Sequence, residues 1–327
     1  MNFRDPSFVV IGGGTGLSIF LKGLKRFSDE ITAIVTMADN GGGSGKLRQD
    51  IGILPPGDIR NCLVALANTE PAMERLLQYR YQEGQLAGQN VGNLLIAALW
   101  DIYGDFGRAV EALASVLKIT GRVLPVTTED IQLLGRFEDG AQVLGEVEIP
   151  KYGAKNQVKI VDLDLDHRPV TMNPACRQAL ARADLIVLGP GSLYTSLIPN
   201  LLVDGMVEAI AASPAKLVYA ANIMTQRGET HGLSLLDHIQ VLEDQGLKGL
   251  IHGIVVNDRP ASKALREKYM DQEGASQLFL SPEEEKTLVS RGIGVERGDF
   301  LDESLGTLRH DGLLLAQRML TIADRTR

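Results

Sequence analysis

Only two of the 327 residues are cysteine, Cys62 and Cys176. Two cysteines in helical, apolar surroundings cannot build a disulfide framework, and neither has a Cys-x-x-Cys partner, so a reducing compartment is expected and both thiols read as core. Positive charge is also scarce: 33 Lys and Arg against 41 Asp and Glu leave a net charge of −8, which argues against nucleic acid as the main partner. No long apolar run is present. Leu94–Trp100 and Leu313–Ala316 fall far short of the roughly 20 residues that a membrane span requires. The N-terminal Phe8-Val9-Val10-Ile11 is too short for an export segment and leads straight into glycines, so a cytoplasmic protein is expected.

Several catalytic signatures are missing as well. The five histidines show no metal-ligand spacing and read as surface or turn residues. Gly189-Pro190-Gly191-Ser192-Leu193 is not a G-x-S-x-G nucleophile elbow, and no Gly-Lys-Ser/Thr P-loop occurs. The first glycine cluster is not G-x-G-x-x-G either, because Leu17 fills its last glycine position.

What is present is a rhythm of buried strands and amphipathic helices. Phe8–Ile11 reads as a buried parallel strand, and Leu17, Phe20, Leu21 and Leu24 lie on one face of a following helix. Ile31–Met37 reads as a second strand. Helical spacing returns in Ile59, Cys62, Leu63 and Leu66, in Leu94, Leu95, Ala98 and Leu99, and in Val110, Leu113, Ala114 and Leu117. Ile131–Phe137 and Gln142–Ile149 form a predicted hairpin turning at Glu138-Asp139-Gly140, with Val158–Leu163 as a third strand. Strands resume at Asp184–Leu188, Lys216–Ala221 and Ile251–Val256, and Leu308–Ala323 reads as a closing helix. The pattern predicts an α/β fold, Rossmann-like, with a mostly parallel sheet, helices on both faces and a small antiparallel β-hairpin insertion near the middle.

The polar residues gather where these strands end. Gly12-Gly13-Gly14-Thr15-Gly16 joins a buried strand to a helix whose unpaired N–H groups and partial positive charge favour an anion; as a bare tight turn it would need fewer glycines. Asp39-Asn40-Gly41-Gly42-Gly43-Ser44-Gly45-Lys46 follows the second strand, with Asp39 where a dinucleotide fold places its ribose-binding acid; the plain alternative is a flexible linker. Pro55-Pro56-Gly57-Asp58-Ile59-Arg60-Asn61 opens a helix, and Asp58 reads equally as an N-cap. Gln89-Asn90-Val91-Gly92-Asn93 is a weaker signal of the same kind. In the second half, Leu188-Gly189-Pro190-Gly191-Ser192-Leu193-Tyr194-Thr195-Ser196 and Asn222-Ile223-Met224-Thr225-Gln226-Arg227-Gly228-Glu229-Thr230 again leave strand ends, which predicts a shared crevice.

Taken together, these stretches resemble the YvcK/CofD-like family in its gluconeogenesis-factor branch, and more distantly 2-phospho-L-lactate transferase. The likeness runs from Gly12–Leu17 past residue 230 and continues more weakly to Arg309-His310. It implies a single CofD-like domain over 1–327, with a Rossmann-like core at 7–120 and 184–260, the hairpin insertion at about 130–165, and a C-terminal helical segment at about 261–327. It also implies a UDP-sugar ligand such as UDP-N-acetylglucosamine, and a regulatory role in bacterial carbon metabolism and cell shape. It leaves room for protein partners in envelope synthesis and for a homodimer. Tyr269 and Arg309 resemble positions that contact the nucleotide sugar.

The transferase branch implies a divalent metal and phosphoryl-group chemistry. This chain departs from it at Asn40, where an amide stands in place of a carboxylate and would be a poor ligand for a hard cation. The reading is therefore of a nucleotide-sugar binder with no catalytic residues assigned and no cofactor required. A metal-assisted transferase stays open as the rival, and an NAD(P)-binding protein is a weaker one.

Overall fold

The structure is a computed structural model that describes residues 5–326. Twelve strands are present among them. Seven build one wholly parallel sheet: β1 (Phe8–Gly12), β2 (Ile31–Val35), β3 (Arg122–Pro125), β7 (Leu185–Leu188), β8 (Lys216–Ala220), β9 (Ile251–Asn257) and β10 (Gly294–Gly298). Their spatial order is β10-β9-β8-β7-β1-β2-β3. In chain order this is the doubly wound 3-2-1-4-5-6 arrangement with a seventh strand added at one edge. The order reverses between β1 and β7, where Phe8 pairs with Leu185 and Ile11 with Leu188. Crevices in such sheets open at this switch point, outside the carboxyl ends of the strands.

The central strands are apolar at every position because both faces are covered: Phe8, Val9, Val10 and Ile11 are at most 1% exposed, and Leu185–Leu188 are fully buried. The first helices are α1 (Gly14–Leu24), α2 (Gly42–Ile51), α3 (Gly57–Leu66), α4 (Pro71–Gln78), α5 (Val91–Tyr103) and α6 (Phe106–Val116). Leu17, Phe20, Leu21 and Leu24 of α1 are fully buried, as their spacing requires. The middle of the chain makes a separate antiparallel sheet in the order β5-β4-β6, from β4 (Leu133–Phe137), β5 (Gln142–Leu144) and β6 (Ile160–Leu165). Its hairpin turns at Asp139-Gly140, where the Gly140 N–H donates to Phe137 O at 2.9 Å.

Several expectations need correction. The glycine-rich stretch after β2 is not a loop from end to end: Gly42-Gly43-Ser44-Gly45 form the first turn of α2. Glycine disfavours helix by about 1 kcal/mol per residue, but a Cβ on Gly45 would lie 2.1 Å from Asn40 O, so close backbone contact imposes the choice. The second hairpin arm stops at Leu144, and Ile149 lies in α7 (Glu148–Asn156). On α5 the buried residues are Gly92, Asn93, Ile96 and Ala97, while Leu95 is 38% exposed, so the inward face is rotated from the one the leucines suggested.

The closing helix starts at Gly312, after the short strand β12 (Arg309–His310), which pairs antiparallel with β11 (Leu301–Asp302). The C-terminal part is thus not only helical, since β10 completes the main sheet and pairs in parallel with β9. His238 is not a surface residue: it is fully buried with Nδ1 2.9 Å from the Tyr219 hydroxyl, and burial lowers its pKa to about 4. Both cysteines are buried.

Candidate functional site

The site is assembled where β1 and β7 part. After β1 the chain passes through Gly13 into α1, and Gly14, at φ +72°, turns its N–H onto Asp58 Oδ2 at 2.7 Å. Asp58 is therefore not the N-cap of its helix, a position held by Pro56. It reaches across to α1 and fixes that helix's amino end. A Cβ on Gly13 would stand 2.6 Å from Asp58 Oδ2 and 2.9 Å from Thr36 Cγ2, so only glycine lets the three segments meet. Gly13→Ala should cost at least about 1 kcal/mol of folding stability by overpacking, measured by denaturant unfolding. An unchanged midpoint would show that Asp58 swings aside freely.

After β2, Asp39 Oδ1 accepts the Gly41 N–H at 2.8 Å, and Ser44 also bonds this carboxylate. Burial raises the Asp39 pKa, and burial followed by the Asp39 charge raises Asp58 to about 6. Asn40 turns away from the cleft. Its Oδ1 accepts the Val147 N–H at 3.0 Å and its Nδ2 donates to Glu148 at 2.7 Å, so the amide clasps α7 to the glycine segment. Gly42, Gly43 and Gly45 contribute backbone at the amino end of α2.

On the β7 side, Gly189-Pro190-Gly191 leads into a π-helical turn, Leu193–Leu197. Ser192 donates its hydroxyl to the Glu229 carboxylate and accepts one from Thr195 Oγ1 at 2.9 Å. Asn222 Nδ2 donates to Gly191 O at 2.8 Å, tying the end of β8 to this turn. Burial pushes Glu229 up to about 7, against the opposing hydrogen bonds from Ser192 and Thr195. Tyr194 is buried beneath the turn, and burial lifts its phenol to about 12.

A cleft of about 270 Å³ lies between these walls. Thr15 and Gly16 of α1, Pro190, Gly191 and Ser192, Asn222 and Gln226, and the strand residues Arg309 and His310 all line it. The first-turn amides of α1 after Gly14, whose N–H is taken by Asp58, have no intrahelical acceptors and suit an anion there. His310 Nε2 lies 3.1 Å from Ala221 O, and burial lowers its pKa to about 4, so the ring is neutral at neutral pH and donates to that carbonyl.

Other expected residues lie elsewhere. Tyr269 does not line the cleft: its hydroxyl accepts the Leu308 N–H at 3.1 Å, and the ring packs with Ile223, Ala261 and Leu301, so it props the strand carrying Arg309. Thr225 is buried and paired by backbone and hydroxyl to Ser276. Arg60 and Asn93 lie together near the start of α5, and Arg60 Nη2 donates at 2.7 Å to Oδ1 of Asn61, which also bonds Asp58.

Sequence reasoning missed two acids, Glu146 and Glu229. Glu229 stood in the polar stretch after β8 but was given no role of its own there. Glu146 was hidden by an alternation that mimics a strand. Its pKa is raised to about 8 by burial first and then by Asp39, Glu229, Asp58 and Glu148. Five carboxyl groups thus share one neighbourhood.

Fold and site together define a doubly wound α/β protein with a cleft at its switch point. The sequence profile of the 2-phospho-L-lactate transferase CofD family matches residues 8–301, and the chain belongs to that family, in the branch of the gluconeogenesis factors. It is 44% identical over 325 residues to a gluconeogenesis factor of Halalkalibacterium halodurans, covering 99% of this chain and 98% of the relative. It is 42% identical to the gluconeogenesis factor of Bacillus subtilis, covering 94% and 95%. A crystal structure of a Bacillus halodurans protein superposes with a TM-score of 0.92 at 43% identity, covering 97% of this chain and all of that one.

Proposed function

We propose that the chain is a cytoplasmic, UDP-sugar-binding regulatory protein of the gluconeogenesis-factor type, acting in carbon metabolism and in cell shape and envelope synthesis. The observation that carries this reading is the switch-point cleft, where the amino end of α1 faces Ser192, Asn222 and Arg309. Helix amides and a guanidinium on opposite walls suit a diphosphate, and the polar side chains suit a sugar. No helix among the described residues is long and apolar enough to cross a membrane.

The half-buried pair Asp39 and Asp58 beside the cleft favours a second reading, a metal-assisted transferase. The residues offer few ligands for a resident metal. Among the described residues no three His, Cys, Asp or Glu side chains converge on one point, and Asn40 is engaged at both ends. A hard divalent cation takes about six oxygen ligands, and one oxygen of each Asp already accepts a backbone N–H.

Calorimetric titration with UDP-N-acetylglucosamine, NAD and GDP, each with excess chelator, separates the readings. Saturable binding of the UDP-sugar that survives chelation, without product formation, is the expected result. Binding lost on chelation, or a preference for GDP with steady turnover, would transfer the case to the transferase.

A further inference from the structure

A second polar group lies beyond the cleft. Arg60 is 8% exposed, and its Nε has no hydrogen-bond partner. Gln89, Asn90 and Asn93, at 7%, 1% and 2% exposure, are likewise each left with one unpartnered side-chain atom: Oε1, Nδ2 and Oδ1. Buried polar atoms are nearly always paired, by protein, water or ligand. Four at one place mark a position built around something else.

Charge points to what that is. Arg80 lies close enough to Arg60 to oppose its charge, and Arg80 Nη1 spends itself on a carbonyl, Gly88 O. Lys46 Nζ reaches only Ala87 O, at 3.3 Å. Among the described residues no carboxylate lies within ion-pair distance of Lys46, Arg60 or Arg80. Arg60 alone of the three is buried, Asp58 and Asp39 offset its charge only through space, and a bound anion would pair its free Nε directly.

Geometry gives the point of convergence. A Cβ built on Gly43, in the first turn of α2, would lie 3.3 Å from Arg80 Nη1 and 3.4 Å from Gln89 Oε1. The amino end of the ten-residue α2 therefore faces the same polar group. Asp58 and Arg60 are two residues apart on α3 and so project to different sides. Asp58 turns to the amino end of α1, and Arg60 turns to this second group, the two remaining linked through Asn61.

We propose that Arg60, Arg80 and the amide side chains of Gln89, Asn90 and Asn93 form a second subsite, which takes a small phosphate or carboxylate group. Its donors are the two guanidiniums, Asn90 Nδ2 and the α2 amides, while the unpaired oxygens of Gln89 and Asn93 accept from a protonated oxygen of the bound group. This goes beyond the nucleotide-sugar reading and does not depend on it. The anion is either a free metabolite or the distal anionic group of a ligand seated in the cleft.

Inorganic phosphate is the probe, titrated by calorimetry at low ionic strength into wild type, Arg80→Gln and Gly43→Ala. Arg80 is exposed, so its replacement leaves folding intact, with the melting temperature as the control. Phosphate is expected to bind saturably to wild type and at least about tenfold more weakly to both variants. With UDP present in excess, unchanged phosphate affinity supports a free anion. Competition that still requires Arg80 supports the same subsite shared with the cleft ligand. Absence of saturable binding, or affinity indifferent to both substitutions, overturns the proposal. Because phosphate is read directly, a failure of UDP-sugar to bind leaves this result standing.

Discussion

Glu146→Gln should make the protein more stable at pH 8.5 and leave it unchanged near pH 4.5. The glutamate sits beside Asp39, each approaching the backbone of Gly41, and its pKa is pushed from 4.5 up to about 8 by burial and by the surrounding carboxylates. Raising the folded-state value above the unfolded one means that the native state binds more protons at intermediate pH. The stability contribution is then full below the unfolded value and is lost as pH rises through the folded one. At pH 8.5 the wild type must either ionise this buried group or hold its proton at a cost, whereas the amide does neither. The difference should reach on the order of 3 kcal/mol, read as the gap between denaturant midpoints across the pH range. Equal stability at pH 8.5, or a variant weaker than wild type there, would show that a cation or solvent neutralises the cluster. Glu229 and Asp58, raised to about 7 and about 6, tilt the profile in the same direction, so the protein should gain stability on mild acidification from pH 8.

This acid cluster also shows where sequence reasoning ends. Continuous apolar runs ending in glycine identified β1 and β7, and the βαβ rhythm implied a parallel sheet, because a strand buried on both faces has no polar alternation. The Rossmann-like fold was legible for that reason. The strand β10 was not, because Gly294-Val295-Glu296-Arg297-Gly298 carries charges that suit an edge and break the apolar signal. Glycine propensity argued against α2, and only the contact of Gly45 with Asn40 O explains it.

For the site, motif order gathered Thr15, Ser192 and Asn222 into one cleft, since loops at adjacent strand ends must meet, whereas Arg309 was placed there only by family resemblance. It could not separate the Arg60–Asn93 group from that cleft, because Asp58 and Arg60 share one motif and differ only in the side of the helix they face. Glu146 comes from the insertion, whose position over the sheet no local pattern encodes.

Arg309→Ala should weaken UDP-sugar binding by about 10- to 100-fold, which corresponds to the roughly 1.5–3 kcal/mol of a charge-assisted hydrogen bond. The residue lies on β12 with its side chain lining the cleft, and among the described residues no carboxylate forms an ion pair with it. Its guanidinium is thus available to a ligand, and it can fork onto two phosphate oxygens, which a lysine cannot. Arg309→Lys should accordingly recover only part of the loss. Tyr269→Phe gives the contrasting case. Removing the hydroxyl frees the N–H of Leu308, a residue of the cleft wall, but takes no ligand-facing group away, so its effect on affinity should be smaller than that of Arg309→Ala. If Tyr269→Phe costs more than Arg309→Ala, the tyrosine itself meets the ligand and the cleft extends towards the helix Lys263–Glu273. If Arg309→Ala binds as tightly as wild type, the diphosphate does not lie against β12, and the reading of the cleft as a nucleotide-sugar site fails with it.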